Sequence, residues 1–521
     1  MNGIHLMDSL YVFIQARSSS TRLPLKVIKS FTDSNVTILD HLHSRIEEVI
    51  LKERIVFLIP EGDYPLINFL KTRNFNYFEG DENNVRERFV KAGNYYNAKK
   101  IIRITGDNPF IDITHLELLI DGFLRSSSDL VSFTGLPIGM GAEGFTLDSI
   151  SLNFDYKEYH NEHVSLHIKE NPTVFNIVRL KPLLEIDNEI LKNIRVTIDE
   201  EKDFEVCKNI YNNIKNLHFG ISDLLELYHK DINIFKINKD IKQITFSLPS
   251  LIKEKSKKIT IFYGNIKEYG SGHFERSKIL YIILQLNGNE VIFTDKLPYS
   301  NNSDLYIIDS RDIKIPKELK QNKILLIDNF GEDCKNYQNF YSLPNPNYTT
   351  DLIKDNILYP ALITIFREKI NNFEKKILIY SGSLNEEHSD ILDKFCTHQF
   401  PNIKIIRIGG SPSKLNIQWI KRLSKKSFLL ELNSSSAFIS YFGQGVMEAL
   451  YLQKKIYIYS ISDYHEALSA NLMKSAPIIN LGKIKNLRIN EEIYYNKNLN
   501  ISNTGYSKLL KLVLNLLSNK T

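Results

Sequence analysis

Leu10-Tyr-Val-Phe-Ile-Gln-Ala-Arg-Ser-Ser-Ser-Thr-Arg-Leu-Pro-Leu-Lys26 changes character halfway along. Its first part is β-branched and aromatic, the pattern of a buried strand. Its second part is polar and cationic, with Arg17, Arg22 and Lys26 among three serines and a threonine. In open α/β sheets ligands bind beyond the carboxyl ends of strands, where this change falls. Small residues let backbone N–H groups approach phosphate oxygens, and the three cations suit a polyphosphate. A solvated basic loop is the plain alternative.

Outward from this stretch, apolar runs alternate with amphipathic ones. Strands are expected at Tyr11–Ala16, Arg54–Ile59, Lys100–Thr105 and Asp129–Thr134. Helices are expected at Ile38–Lys52, Tyr64–Arg73, Val85–Asn97 and Thr114–Ser126. This alternation predicts a mainly parallel, doubly wound sheet whose strand ends share one rim. Two acidic motifs fall on that rim. Lys100-Ile-Ile-Arg-Ile-Thr-Gly-Asp107 reads as a strand ending in Asp107, and Ile194-Arg-Val-Thr-Ile-Asp199 as another ending in Asp199. Mg²⁺ takes few protein carboxylates plus phosphate oxygens, which two such Asp residues could supply. Each could equally be a turn or helix-capping residue.

The order Gln15 to Lys26 resembles the signature loop of the spore-coat polysaccharide type of cytidylyltransferase, of the nucleotide-diphospho-sugar transferase superfamily that includes the CMP-sugar-acid synthetases. It is not a Walker loop, because Gly-Lys-Ser/Thr is absent. Where the family usually has Gly before the Lys, this chain has Leu25. The resemblance covers about residues 8–225 and implies a Mg²⁺-dependent transfer of CMP from CTP. It places Gln15, Ala16, Arg17, Ser18, Arg22, Lys26, Thr105 and Gly106 on the nucleotide, with Arg17 and Lys26 also catalytic. It makes Asp107 and Asp199 the metal ligands. Glu143-Gly-Phe145 and Asn161-Glu-His163-Val match family elements on the acceptor side, so Glu143 and His163 are expected at the acceptor. His163 could instead anchor a helix start.

A charged connector without periodicity follows, and a domain boundary is placed there. The expected division is residues 1–235, a linker at 236–257, and 258–521. After the strand Lys258–Tyr263 comes Gly270-Ser-Gly272-His273-Phe-Glu-Arg276 and a helix. Glycines before a helix expose backbone donors, and a His at its positive end resists protonation and could act as a base. A His with no role is the alternative.

This second region resembles, more diffusely, the UDP-sugar hydrolases of pseudaminic acid biosynthesis and their spore-coat relatives, which share the glycosyltransferase-B fold. The resemblance makes His273 catalytic, activating water against the anomeric carbon and releasing UDP. Phe438-Ile-Ser-Tyr-Phe-Gly443-Gln-Gly445-Val-Met-Glu448 resembles that family's diphosphate-binding strand–loop–helix. Gly272, Arg276, Gly443, Gly445 and Glu448 are therefore expected on the nucleotide. Tyr464-His465 stands where that family has Asn-Gln, and His465 is expected on the sugar. Ser381 and Leu384 depart from the family's Gly-Gly-Ser-Asp element.

The expected fold class is thus α/β, a doubly wound nucleotide-diphospho-sugar transferase domain followed by a glycosyltransferase-B-like pair of Rossmann-like subdomains. The expected function is bifunctional surface-glycan biosynthesis, with CTP, a sugar acid or polyol and a UDP-sugar as ligands. Mg²⁺ serves the first domain and no cofactor the second. The alternative is a cytidylyltransferase for a small alcohol, polyol or phosphonate fused to a glycosyltransferase or an inactive nucleotide-sugar-binding module. A third reading, a non-enzymatic scaffold, would leave two ligand rims idle.

Bulk properties agree. The 521 residues exceed one core. A net charge of +5 spread along the chain argues against nucleic-acid binding. Cys207, Cys334 and Cys396 lack metal spacing and suit a reduced, cytoplasmic protein. No apolar run reaches the roughly 18 residues of a membrane span. A homodimer is the assembly left open.

Overall fold

The computed structural model describes residues 9–31, 35–241, 248–251, 256–266, 270–297, 302–343, 353–367, 374–474, 476–489 and 501–518. The chain divides into two units, Met1–Glu254 and Lys255–Thr521. The connector expected at 236–257 starts later than expected, because Asn238 is buried in the first unit and donates to Arg195 O and Asp203 Oδ1. Its stretches at 242–247 and 252–255 lie outside the described residues.

The first unit is built on a seven-stranded sheet. Its strands are β1 (Leu10–Gln15), β2 (Ile55–Pro60), β3 (Tyr77–Gly80), β4 (Lys100–Thr105), β5 (Leu130–Phe133), β6 (Glu143–Thr146) and β7 (Ile177–Leu180). The order is β3-β2-β1-β4-β6-β5-β7, and only β6 runs against its neighbours. All six residues of β2 are buried, as a strand covered on both faces requires. The segment at Ile194–Asp199 is no strand; Arg195 makes a single parallel bridge to Ile138. Gly139 explains why that pairing goes no further: its φ is +97°, and a Cβ there would lie 2.5 Å from Thr197 N.

The second unit holds two wholly parallel sheets. The first contains β8 (Lys258–Tyr263), β9 (Glu290–Thr294), β10 (Leu305–Asp309), β11 (Ile324–Ile327) and β12 (Gln338–Phe340), ordered β12-β11-β10-β8-β9. The second contains β13 (Glu374–Gly382), β14 (Lys404–Gly409), β15 (Gln418–Ile420), β16 (Ser435–Tyr441), β17 (Lys455–Ser460) and β18 (Ile478–Lys483), ordered β15-β14-β13-β16-β17-β18. The C-terminal helix Gly505–Ser518 returns to the helix Gly272–Leu286 that follows β8, where Tyr506 Oη donates to Arg276 O at 2.9 Å. Among the described residues no helix is long and apolar enough to cross a membrane.

Candidate functional sites

In the first unit β1 and β4 pair along their whole length, which sets Gln15 beside Thr105. Gly106 N donates to Gln15 O at 2.8 Å, and a Cβ on Gly106 would lie 3.0 Å from Ala16 Cβ. Both strands thus end at one point, and the loop after β1 starts there. The loop folds on itself: Ser20 N and Leu25 N both donate to Ser18 O. Ser18 N donates to Asp63 Oδ2 at 2.8 Å, so this amide is held by a buried carboxylate and does not face a phosphate. Arg17 and Arg22 are exposed. Leu25, the residue that replaces Gly, has φ +57°, a left-handed conformation that glycine adopts without strain.

Lys26 is not on the exposed rim. Its side chain is only 10% exposed, and Nζ donates to Asp107 Oδ2 at 2.9 Å, Ile198 O at 2.6 Å and Asp199 Oδ1 at 3.2 Å. The expected phosphate ligand is instead the cation on which Asp107 and Asp199 converge. A backbone bond, Ile198 N to Asp107 O at 2.9 Å, joins the two segments. Arg22 Nη2 reaches Asp199 Oδ1 at 3.1 Å, and Arg195 Nη2 donates to Asp199 Oδ2 at 2.6 Å. Burial alone would raise the Asp199 carboxyl, but Lys26, Arg22 and Arg195 hold it below the usual range.

Asp203 locks this corner. It accepts from Asp199 N and Glu200 N through Oδ2 and from Arg195 Nε through Oδ1. Arg195 and Asp203 escaped the sequence reading. The available signal was an acidic residue three positions after Glu200, where the helix Glu201–Ile214 needs its capping box.

The acceptor side is also tied internally. Arg103 donates through Nε and Nη2 to Gln15 Oε1 at 3.2 and 2.9 Å, and through Nη1 to Glu143 Oε1 at 2.8 Å. Lys169 Nζ and Ser165 Oγ complete the shell of Glu143. Burial opposes ionisation of Glu143, yet Lys169 and Arg103 draw its pKa down to about 2. Glu143 is therefore a permanent anion that fixes two cations, rather than the uncommitted acceptor ligand expected. Arg103, a charged residue set between Ile102 and Ile104 in mid-strand, is the signal that was missed. His163 lies half-buried near this cluster and is held below its ordinary pKa mainly by burial.

In the second unit, His273 sits in the first turn of the helix Gly272–Leu286. Its Nδ1 lies 2.5 Å from Oδ1 of Asp309, the fully buried last residue of β10. A carboxylate only accepts, so Nδ1 carries the proton toward Asp309, and in the neutral ring Nε2 is then the acceptor; Arg276 Nη2 lies 3.1 Å from the same Nδ1. Gly270 has a φ of +79°, and among the described residues a Cβ on Gly272 would meet nothing within 4 Å. Arg276, expected on the nucleotide, is turned inward onto carboxylates. It is 5% exposed and donates to Asp309 Oδ1 and Oδ2 and to Asp328 Oδ2. Its role is to hold the carboxylate that orients His273.

On the other sheet of this unit, Gly443 precedes the helix Gln444–Tyr451, and a Cβ there would also meet open space. Gly445 lies inside the helix, 3.4 Å from Phe438 by its notional Cβ. Glu448 is not open to a ribose: it is 1% exposed, and Lys425 Nζ donates to its Oε1 at 2.5 Å. His465 Nδ1 contacts Ser462 Oγ at 2.8 Å, a local bond at a helix start, and burial keeps the ring below its usual pKa. Arg311, from the loop after β10, lies 4.9 Å from the ring centre of Tyr464. The two rims therefore meet beside His465. Ser381 is buried, donating to Ile408 O, so its departure from Gly serves packing.

Comparison with known proteins bears on the first unit. The family model described as cytidylyltransferase matches residues 11–241. The uncharacterized protein MJ1063 of Methanocaldococcus jannaschii is 30% identical over 237 residues, 45% of this chain and 96% of that protein. The spore coat polysaccharide biosynthesis protein SpsF of Bacillus subtilis is 31% identical over 215 residues, 39% of this chain and 87% of that protein. A cytidylyltransferase structure from Leptospira borgpetersenii is 28% identical, with a TM-score of 0.41, over 46% of this chain and 99% of that one.

Proposed function

We propose, on the premise that this chain belongs to the cytidylyltransferase family, that its first unit transfers CMP from CTP to a sugar acid of a surface glycan. The observation that carries this reading is the convergence of Asp107 and Asp199 on one cation beneath the Arg17–Arg22 loop.

The acceptor hydroxyl attacks the α-phosphorus, the bond to the bridging oxygen breaks, and pyrophosphate leaves. Arg17 and Arg22, exposed at the rim, neutralise the β- and γ-phosphates, and positioning with charge stabilisation supplies most of the rate. Gln15, its carbonyl oxygen held by Arg103, directs its amide N–H groups to the ligand. Arg103 and Lys169 place two cations beside the acceptor, which favours one carrying a carboxylate. A polyol or phosphonate acceptor is the alternative.

Asp107 and Asp199 fit Mg²⁺. Their oxygens already share a cation, and two carboxylates are a suitable protein contribution when phosphate oxygens fill other positions. When bound, Mg²⁺ would stabilise charge on the triphosphate. Among the described residues no cluster of three or more acidic, His or Cys ligands offers another site. The test is pyrophosphate release from CTP against a panel of sugar acids and polyols. Asp107→Asn and Asp199→Asn are expected to lower it at least about a hundredfold. Release unchanged in both variants would overturn the reading.

A second reading concerns the other unit and rests on the His273–Asp309 pair. There His273 Nε2 takes a proton from water, the water oxygen attacks the anomeric carbon of a UDP-linked amino sugar of the pseudaminic type, and UDP departs. Free UDP from UDP-sugars in water alone, lost in His273→Ala, supports hydrolysis. UDP formed only with a sugar acceptor identifies a glycosyltransferase, and none under either condition a binding module.

A further inference from the structure

Lys26 occupies the position the metal reading assigns to a divalent ion, and its three ammonium hydrogens are matched by three protein oxygens. It cannot hold a phosphate from there. Around it Lys26, Arg22 and Arg195 interlock with Asp107, Asp199 and Asp203. With Glu200, 3.5 Å from Arg22 Nη1, three cations face four carboxylates, so a bare divalent ion enters a corner whose negative charge is already largely compensated.

The carboxylates hang from short side chains on fixed backbone. Asp199 is anchored by Arg195 and by the bond from its own N–H to Asp203, and Asp107 by the backbone bond from Ile198. The movable members are the two long side chains of the loop. Arg22 is 54% exposed, and Lys26 follows directly on the left-handed turn at Leu25.

We propose that Lys26 is a resident counter-ion that competes with divalent metal for Asp107 and Asp199, so that metal enters together with the nucleotide. The triphosphate draws Lys26 and Arg22 outward, and the carboxylates then accept the metal. One side chain thus serves two partners in turn: the carboxylates before CTP arrives and the phosphates afterwards. This rests on the assignment of Asp107 and Asp199 as metal ligands.

The test is a Mn²⁺ titration of the full chain followed by electron paramagnetic resonance, alone and with α,β-methylene-CTP, subtracting metal held by the free analogue. In the wild type the analogue is expected to tighten Mn²⁺ at least about tenfold, the worth of one charge-assisted contact. Lys26→Met is expected to bind Mn²⁺ alone about tenfold more tightly than the wild type and to gain less from the analogue. Equal affinity of wild type and Lys26→Met for Mn²⁺ alone overturns the proposal and leaves the metal site standing. If Lys26→Met does not fold, the wild type decides: Mn²⁺ bound alone as tightly as with the analogue overturns it. Mn²⁺ binding unchanged in Asp107→Asn would instead remove the metal reading beneath it.

Discussion

Replacing Arg276 with Met deletes a guanidinium that donates to Asp309 at 2.5 and 2.8 Å, to Asp328 at 2.5 Å and to Ser342 at 2.9 Å. Asp309 and Asp328 are 0% and 2% exposed, so neither can turn to water. Asp309 keeps donors in His273 and Ser277, and Asp328 keeps Ser342 and Leu343, but both lose their strong cation. Removing one partner from a buried pair costs about 3–5 kcal/mol. That is a large share of the roughly 5–15 kcal/mol that holds a domain together. The loss is pH-dependent. Burial pushes the Asp309 carboxyl up, but Arg276 and then His273 bring it to about 2, so the wild type keeps this stabilisation above the unfolded value and loses it as pH falls through about 2. Without Arg276 burial wins, and the deficit is largest at neutral pH and shrinks below about pH 4, where the carboxyl is protonated in both states. Hydrogen exchange of the full chain should show lost protection across 258–343, with a lower urea midpoint for that transition. Adding Asp309→Asn and Asp328→Asn should recover part of it. Intact protection with only UDP-sugar affinity lost would refute the reasoning and return Arg276 to the ligand.

Further outcomes follow from four single positions. Gly139→Ala should destabilise the first unit by more than about 2 kcal/mol, because its Cβ meets Thr197 backbone and φ is +97°. Gly141→Ala, whose Cβ meets only Leu136 at 3.7 Å, should stay within about 0.5 kcal/mol, both variants being read by thermal melting of the full chain. Leu25→Gly should leave kcat/KM within about threefold and stability within about 1 kcal/mol, since relief of left-handed strain offsets added chain entropy. A tenfold fall would mean that the half-exposed leucine side chain itself is used. Glu143→Gln should cost roughly 3 kcal/mol near neutral pH, the worth of lowering its pKa from 4.5 to about 2. That contribution is complete above the unfolded value and fades as pH falls toward 2, so the variant's stability curve should lack this acid limb.

Most of the first unit's frame was legible because its strands are continuous apolar runs between helices with caps. Lys100–Thr105 and Tyr64–Arg73 agree with expectation residue for residue. Tyr77–Gly80 was not, since an edge strand of four residues, none of them buried, carries no hydrophobic pattern. Ile194–Asp199 misled for the opposite reason: it alternates apolar and polar residues as a strand does, but the facing chain leaves extended geometry at Gly139, whose φ is +97°, and a single bridge forms. The site residues were found as types, and their partners were not. Lys26, Arg276 and Glu448 each read as ligand contacts, and each is itself buried and matched to an opposite charge from a distant segment. Nothing in local spacing shows such pairing, because it is set by which strand ends become neighbours.

The reversed direction of β6 has a consequence for how this protein could diversify. Arg103 and Glu143 stand opposite each other in the β4–β6 ladder, so the start of β6 shares a rim with the end of β4. The β3-β2-β1-β4 side can then stay constant while the hairpin β5–β6 and the chain up to β7 are exchanged as a cassette. Chimeras cut at this seam would retain triphosphate handling and inherit a new choice of acceptor.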